Sequence, residues 1–390
     1  MADTRIRVAI IAPGEVYGGV ERFVNVLSET LQDENEAEPL VILLHDGLQA
    51  QSLRQRGIEV IVPEQRSKYD PSLVKKLAEV YRRKRIDVVH TNGYKATILG
   101  AAAAKMIGLP VVKTEHGKLE PRTWLDPRHI RMRVNLLLDE LSTRWLVDHI
   151  VYVTHDLQCA YRRRNLETGS IVYNGIPPIQ LDTASPPPEI DSGKFNVGVI
   201  GRLAEVKGHL ILLRALTHLR DLPDLAVHVI GEGPRKHALC RYCVEQELSD
   251  IVQFLGFRND IYRYLAAFDL LVMPSLHEGL PYVLLESMSL GVPVVASNVG
   301  GLREILEDAE DALLVEPGND ASLAGAIRTL YEDQVLRERL ARSAICKVGK
   351  DYIASAMARD YLEIYRTLLH PKAATQAIST TAADATRYNP

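Results

Sequence analysis

Two carboxylates pose the first chemical question. Glu278 and Glu286 lie in the run Ser275-Leu-His-Glu278-Gly279-Leu280-Pro281-Tyr-Val-Leu-Leu-Glu286. The apolar stretch Leu270 to Met273 leads into it as a strand, and Gly279 and Pro281 mark a turn. Pro281 fits the first helical position, where a missing N–H leaves nothing unpaired. The helix should run to Leu290 and stop at Gly291. Glu278 then sits on the loop after a strand, and Glu286 about a turn and a half into the next helix. Both face the crevice above the strand's C-terminal end, where open α/β sheets bind ligands. Arg202 and Lys207 share a second loop of the same kind, Gly201-Arg202-Leu-Ala-Glu-Val-Lys207-Gly208. Two cations there can stabilise an anion, the guanidinium as a fork and the ammonium as a point charge. Outside a motif, such a pair is more often plain surface charge, and two glutamates equally well cap and solubilise a helix end.

The elements that must position these residues alternate between strand and helix. A buried strand, Arg5 to Ala12, breaks at Pro13-Gly14, and Gly18-Gly19 opens a helix from Val20 to Leu31. Strand, glycine loop and helix begin a Rossmann-like unit whose helix N-terminus invites an anion. The spacing is not the dinucleotide GxGxxG, and the glycine pair serves close packing as readily as a ligand. Strands follow at 40–44, 59–62, 87–90, 110–113 and 150–153, with helices at 47–56, 72–85, 94–107 and 128–146, and Ser170 to Ile176 closes the half. His116 stands at the tip of one strand, followed by Gly117.

Residues 177–191 hold five prolines among few apolar residues and read as a linker. The pattern then restarts. Strands are expected at 195–200, 226–230, 252–255, 270–273 and 293–296. Helices are expected at 209–219, from Pro234 to Glu247, at 261–268 and from Gly300 to Leu306. Three more follow at 321–330, 334–346 and 352–369, and residues 371–390 read as a disordered tail. Two domains, 1–176 and 192–350, each with a parallel sheet, are the expected organisation.

Composition sets outer limits. With 390 residues, more than one core is expected. The net charge of −4 gives no footing for nucleic acid. The start, Met-Ala-Asp-Thr-Arg, runs directly into a strand without a signal peptide, and no apolar run approaches the roughly 20 residues that span a bilayer. Cys240 and Cys243 form a CxxC inside a helical stretch with no second ligand pair, so reduced thiols packed on a helix are expected. These features fit a cytoplasmic location. Charge is uneven, with 17 Lys/Arg against 8 Asp/Glu between Arg66 and Arg144. Cations at a helix C-terminus and a solvated helix face account for this. A surface that meets an anionic acceptor or acidic lipid headgroups accounts for it too.

A set of motifs in register now carries a resemblance. Gly201-Arg202-Leu203, Lys207-Gly208, Gly231-Glu-Gly233-Pro234, Phe254-Leu-Gly256, Pro274-Ser275, Glu278-Gly-Leu-Pro, Glu286 and Gly291-Val-Pro-Val-Val-Ala296 occur in order. The run resembles retaining glycosyltransferases of family 4, which have the GT-B fold. The likeness is strong from Phe195 to Gly318 and looser in the first half, where Gly18-Gly19, His116-Gly117 and Asn174-Gly175-Ile176 match family landmarks.

The resemblance implies an α/β GT-B architecture: two Rossmann-like domains facing across an interdomain cleft, with the helix at 351–369 packing back onto the first. It implies a UDP-, GDP- or ADP-sugar donor, a glycan or lipid-linked acceptor of cell-envelope polysaccharide or lipopolysaccharide synthesis, and no cofactor or metal. No DxD follows a strand, so cations and helix-terminus N–H groups would do what Mg²⁺ does elsewhere. Arg202 and Lys207 would stabilise the leaving diphosphate, and Glu286 would hold the ribose diol. Glu278 would face the sugar, helped by the N–H groups of Gly279 and Leu280, and His116 would reach the donor sugar from the first domain. Gly18, Gly19 and Gly201 would let backbone approach the donor, Phe257 and Arg258 would lie near the base, and Lys118 and Arg122 near the acceptor. Attachment to the inner face of an anionic membrane would suit a lipid-linked acceptor. A GT-B epimerase or hydrolase, and a non-catalytic sugar-nucleotide binder, remain the competing readings.

Overall fold

The computed structural model describes residues 5–15, 18–65, 70–117, 130–162, 169–181 and 186–370. The chain forms two compact units. The first comprises Met1–Val153, Gln158–Gly175 and Ala354–Pro390, and the second Thr154–Leu157 and Ile176–Ile353.

The first unit is built on seven parallel strands: β1 (Ile6–Ala12), β2 (Ala37–Leu43), β3 (Glu59–Ile61), β4 (Val88–Asn92), β5 (Val111–Glu115), β6 (His149–Tyr152) and β7 (Gly169–Ile171). Their order is β3-β2-β1-β4-β5-β6-β7. The connecting helices are α1 (Gly19–Asp33), α2 (Leu48–Gln55), α3 (Ser72–Lys84), α4 (Tyr94–Lys105), α5 (Ile130–Leu146) and α6 (His155–Arg162). Strands covered on both faces read as nearly continuous apolar runs. In β1, only Arg7 departs from the apolar pattern, and its guanidinium pairs with Glu38 on β2 at 2.9 Å. The order reverses between β1 and β4, which marks the switch point where such sheets open a crevice.

The second unit repeats the plan with six parallel strands in the order β10-β9-β8-β11-β12-β13. These are β8 (Phe195–Ile200), β9 (Leu225–Ile230), β10 (Val252–Gly256), β11 (Leu270–Met273), β12 (Val294–Ser297) and β13 (Leu313–Val315). Its helices are α7 (His209–Leu216), α8 (Lys236–Glu245), α9 (Ile261–Leu265), α10 (Tyr282–Ser289), α11 (Gly300–Ile305), α12 (Asp320–Glu332) and α13 (Gln334–Asp351). The switch point lies between β8 and β11. Side-chain caps start two of the helices: Asn319 accepts from the Ser322 N–H, and Asp333 from that of Leu336.

The last helix, α14 (Ala354–Leu369), belongs to the first unit. Tyr361 and Tyr365 on it are fully buried. The Tyr365 hydroxyl lies 2.7 Å from His90 Nδ1, His90 Nε2 lies 2.7 Å from Thr114 Oγ1, and that hydroxyl meets Tyr361 at 2.9 Å. One chain of buried hydrogen bonds therefore ties α14 to the tips of β4 and β5.

Several boundaries differ from the sequence expectation. Pro281 is the N-cap, with extended backbone, and α10 begins one residue later. Pro234 likewise precedes the cap Arg235 of α8. In both cases proline closes the loop and does not occupy the first turn. Helix α6 and the three-residue β13 had no clear sequence signature, being too short for periodicity to register. The described part of 177–191 contains no helix or strand, yet its end is packed: Ile190 is buried and Glu189 takes hydrogen bonds from Arg258 and Tyr264. Cys240 and Cys243 lie on α8 as free thiols, and burial pushes the Cys243 thiol up to about 11. The tail 371–390 lies outside the described residues.

Candidate active site

At the switch point of the second unit, two loops meet. One joins β8 to α7 and carries Arg202 and Lys207; the other joins β11 to α10 and carries Ser275 and Glu278. Lys207 ends a short 3-10 turn, Glu205–Lys207, and Gly208 follows in the left-handed region at φ +67°. A Cβ on Gly208 would fall 1.8 Å from the Pro274 carbonyl oxygen. Only glycine lets the two loops touch here, and the Leu276 N–H seals them by donating to the Val206 carbonyl at 2.8 Å.

That contact delivers the Lys207 ammonium onto Glu278, with Nζ 2.7 Å from Oε1 and 2.9 Å from Oε2. Ser275, three residues before Glu278, donates its hydroxyl to Oε1 at 2.7 Å. Glu278 is 8 % exposed, so its charge depends on these donors. Behind it, the Gly301 N–H donates to the Glu278 carbonyl at 3.2 Å. A Cβ on Gly301 would lie 1.9 Å from the Gly279 carbonyl oxygen, so α11 packs directly on the loop backbone. Leu280 is buried beneath the same turn.

Glu286 lies in the second turn of α10, 5 % exposed, and accepts a hydrogen bond from the Tyr262 hydroxyl at 3.1 Å. Arg202 is exposed and makes no ion pair with a described residue. Gly201, just before it, has φ +155°. The loop after β10 leaves Phe257 exposed. The Arg258 guanidinium, in contrast, is already committed: Nε donates to the Tyr264 hydroxyl at 2.8 Å and Nη2 to Glu189 at 3.1 Å. Its geometry is that of an anchor for the segment entering the unit.

In the first unit, Gly18 caps α1, and its N–H donates to the Glu21 carboxylate at 3.1 Å. Gly19 faces open space where a side chain would project. His116 follows β5, packed edge-on against Phe23 with ring centroids 4.7 Å apart. Burial, aided by the Lys113 charge, pushes its imidazole down to about 3. It is therefore neutral at ordinary pH. Nε2 lies 2.9 Å from Asn92 Oδ1, an oxygen that can only accept, so Nε2 carries the proton and Nδ1 is left as an acceptor. Lys118 and Arg122 lie outside the described residues.

Four contributors had no role in the sequence reading. Ser275 had a usable signal, since Ser-x-x-Glu spaces a hydroxyl to meet a carboxylate. Gly208 stood in view as a motif glycine and Gly301 within the helix expected from Gly300, but the packing function of each needs three dimensions. Tyr262, 24 residues from Glu286, offered no local signal at all.

Comparison with known proteins places these features. The family model for glycosyl transferases group 1 matches residues 182–346, and that for glycosyltransferase family 4 matches residues 17–179. The chain is 26 % identical to the Escherichia coli UDP-Gal:alpha-D-GlcNAc-diphosphoundecaprenol alpha-1,3-galactosyltransferase, over 85 % of this chain and 90 % of that one. It is 27 % identical to the D-inositol 3-phosphate glycosyltransferase of Pseudarthrobacter chlorophenolicus, over 70 % of each. Among solved structures, Anabaena HepE in complex with UDP-glucose superposes with a TM-score of 0.80 at 25 % identity, covering 93 % of this chain and 100 % of that one. With matching models over both halves and a parallel-sheet unit in each, the chain belongs to the family 4 (group 1) glycosyltransferases of GT-B fold.

Proposed function

We propose that this glycosyltransferase moves a hexosyl group from a nucleoside-diphosphate sugar to a hydroxyl of a glycan or lipid-linked acceptor, with retention and without a metal. The observation that carries the reading is the charge arrangement at the β8/β11 switch point: an exposed Arg202 with no ion pair among the described residues, on the same loop as the Lys207 that bonds Glu278, with Glu286 on the adjoining helix.

Breaking the bond between the sugar's anomeric carbon and the β-phosphate oxygen leaves charge on the diphosphate. Arg202 and Lys207 stabilise that charge where it develops, which lowers the barrier. Glu286 accepts from the two ribose hydroxyls and fixes the nucleotide end. Glu278, held by Ser275 and Lys207, accepts from sugar hydroxyls. The acceptor oxygen bonds the anomeric carbon on the face the diphosphate leaves, and its proton passes to the departing phosphate oxygen. No side chain is required as a nucleophile. The activity named for the Escherichia coli relative, from UDP-Gal to a diphosphoundecaprenol-linked sugar, supports a UDP donor and a lipid-linked acceptor. Such an acceptor places the enzyme at the inner face of a membrane. Among the described residues, no helix is long and apolar enough to cross one.

The test supplies sugar-labelled UDP-, GDP- and ADP-donors with and without a bacterial lipid extract. Label entering the organic phase only when both are present, with an α-anomeric proton coupling in the product, is the expected result. Donor consumption at the same rate without lipid would assign a hydrolase or epimerase instead.

A further inference from the structure

Helix α9 is only five residues long, yet it carries two tyrosines with different partners. Residues two apart on a helix project about 200° apart, so Tyr262 and Tyr264 leave α9 on opposite sides. Tyr264 is buried, and its hydroxyl accepts from Arg258 Nε at 2.8 Å and donates to Glu189 at 3.2 Å. Arg258 closes the triangle with its own 3.1 Å bond to Glu189. Leu265, the next residue, is buried as well. One side of α9 is therefore fixed to the segment that enters the second unit. Tyr262 leaves the other side and donates its hydroxyl to Glu286 Oε1 at 3.1 Å.

Helix α10 sets the backbone of Glu286, but it does not set the carboxylate plane, because the last torsion of a glutamate is broad. A hydroxyl donor on one oxygen does set it. Glutamate loses much rotamer freedom when it is ordered, and a carboxylate held in advance meets a ligand at lower entropic cost. A phenol oxygen that donates its one proton keeps its lone pairs, so Tyr262 can also accept from a ligand hydroxyl beside the carboxylate. We propose that Tyr262 is the positioning residue for Glu286, and that the two together make the site select ribose over 2′-deoxyribose. The inference rests on the ribose role given to Glu286 above and adds a residue and a preference to it. A carboxylate with a fixed plane accepts from both ribose hydroxyls at once. Deoxyribose leaves one of those bonds unmade at a buried acceptor, and a site built to bond a hydroxyl rejects the analogue that lacks it. Phenylalanine at 262 keeps the ring but lets the carboxylate turn, so the second hydroxyl contributes less.

Calorimetric titration of the full chain tests this with UDP, GDP and ADP, each beside its 2′-deoxy counterpart. Wild type should bind one ribonucleotide at least about tenfold more tightly than the deoxy form. Tyr262→Phe should bind that ribonucleotide about three- to tenfold more weakly, change little toward the deoxy form, and so lose most of the preference. Its melting temperature without nucleotide should stay at the wild-type value. Tyr264→Phe is the control for damage to α9 and should weaken both forms alike. A Tyr262→Phe variant that keeps the wild-type preference, while Glu286→Ala loses it, would overturn the role of Tyr262 and leave the ribose reading standing. Equal weakening of both forms in Tyr262→Phe, the pattern expected of Tyr264→Phe, would reduce Tyr262 to a structural part and overturn the proposal too. A wild type that binds no nucleotide or binds both forms equally, or a Glu286→Ala variant that keeps the preference, would overturn the ribose reading of Glu286 and the proposal with it.

Discussion

The Lys207 ammonium bridges both carboxylate oxygens of Glu278, at 2.7 and 2.9 Å. Cation and carboxylate come from two different loops, and each neutralises the other in the site proposed for a charged donor. The pair couples the post assigned to the diphosphate with the post assigned to the sugar. A donor that draws Lys207 toward its phosphates also frees a carboxylate oxygen of Glu278 for a hydroxyl.

A double-mutant cycle should register that coupling. Lys207→Met leaves a nearly buried carboxylate unpaired and should cost about 2–4 kcal/mol of unfolding free energy. Lys207→Met with Glu278→Gln should cost less than the two single changes together, with an interaction term of roughly 1–3 kcal/mol by urea titration. Strictly additive single effects would mean that the two side chains do not share their energy.

The loop contacts depend on missing side chains. Gly301→Ala places a methyl group against the Gly279 carbonyl, which must move because the added atom would lie 1.9 Å from it. We expect at least about tenfold weaker nucleotide-sugar binding by calorimetry, equivalent to about 1.4 kcal/mol. Gly208→Ala adds backbone strain at φ +67° to a 1.8 Å clash and should lower the melting temperature of the second unit by several degrees. Wild-type binding by Gly301→Ala would show that the loop backbone can give way at no cost to the ligand.

Buried histidines set an acid limit. Burial holds His90 and His116 down to about 3 and His209 down to about 4, all from an ordinary 6.5. As pH falls through 6.5, the unfolded chain takes up protons that the folded chain refuses. The stability these groups contribute is complete above pH 6.5 and is lost progressively toward pH 3–4. Each should add about 1.4 kcal/mol per pH unit to the slope in that window. Among the described residues, neither His209 ring nitrogen has a hydrogen-bond partner. His209→Leu should therefore remove one proton's worth of slope between pH 6 and about 4.5 and leave stability at pH 7 equal or higher. A slope unchanged in that variant would show that His209 titrates normally in the fold.

The C-terminal helix holds the strand tips of the first unit. Tyr365→Phe removes the hydroxyl that meets His90 Nδ1 and strands a buried nitrogen, at a cost of about 1–3 kcal/mol. Hydrogen exchange should speed up across α14 and the ends of β4 and β5 together. Exchange that rises in α14 alone would separate the helix from the strands carrying Asn92 and Glu115.

Much of the fold was legible because its signals are local. Continuous apolar runs such as 195–200 and 270–273, separated by helical patterns, specify parallel strands and crossover helices without reference to the rest of the chain. The loop positions of Arg202, Lys207 and Glu278 followed from where strands end. The pairing of Lys207 with Glu278, 71 residues apart, did not, because it depends on the close approach at Gly208. Arg258 was read as a loop cation near a ligand. Its commitment to Tyr264 and Glu189 depends on where the segment after the prolines packs.

The central claim is that the β8/β11 switch point grips a nucleoside-diphosphate sugar through Arg202 and Glu286. Calorimetric titration of UDP-, GDP- and ADP-sugars into wild type, Arg202→Ala and Glu286→Ala tests it most directly. One donor should bind the wild type, and Glu286→Ala should bind it at least about tenfold more weakly with an unchanged melting temperature in the absence of ligand. Arg202→Ala should lose most turnover while staying folded. Wild-type affinity for that donor in Glu286→Ala, together with full turnover in Arg202→Ala, would contradict the account.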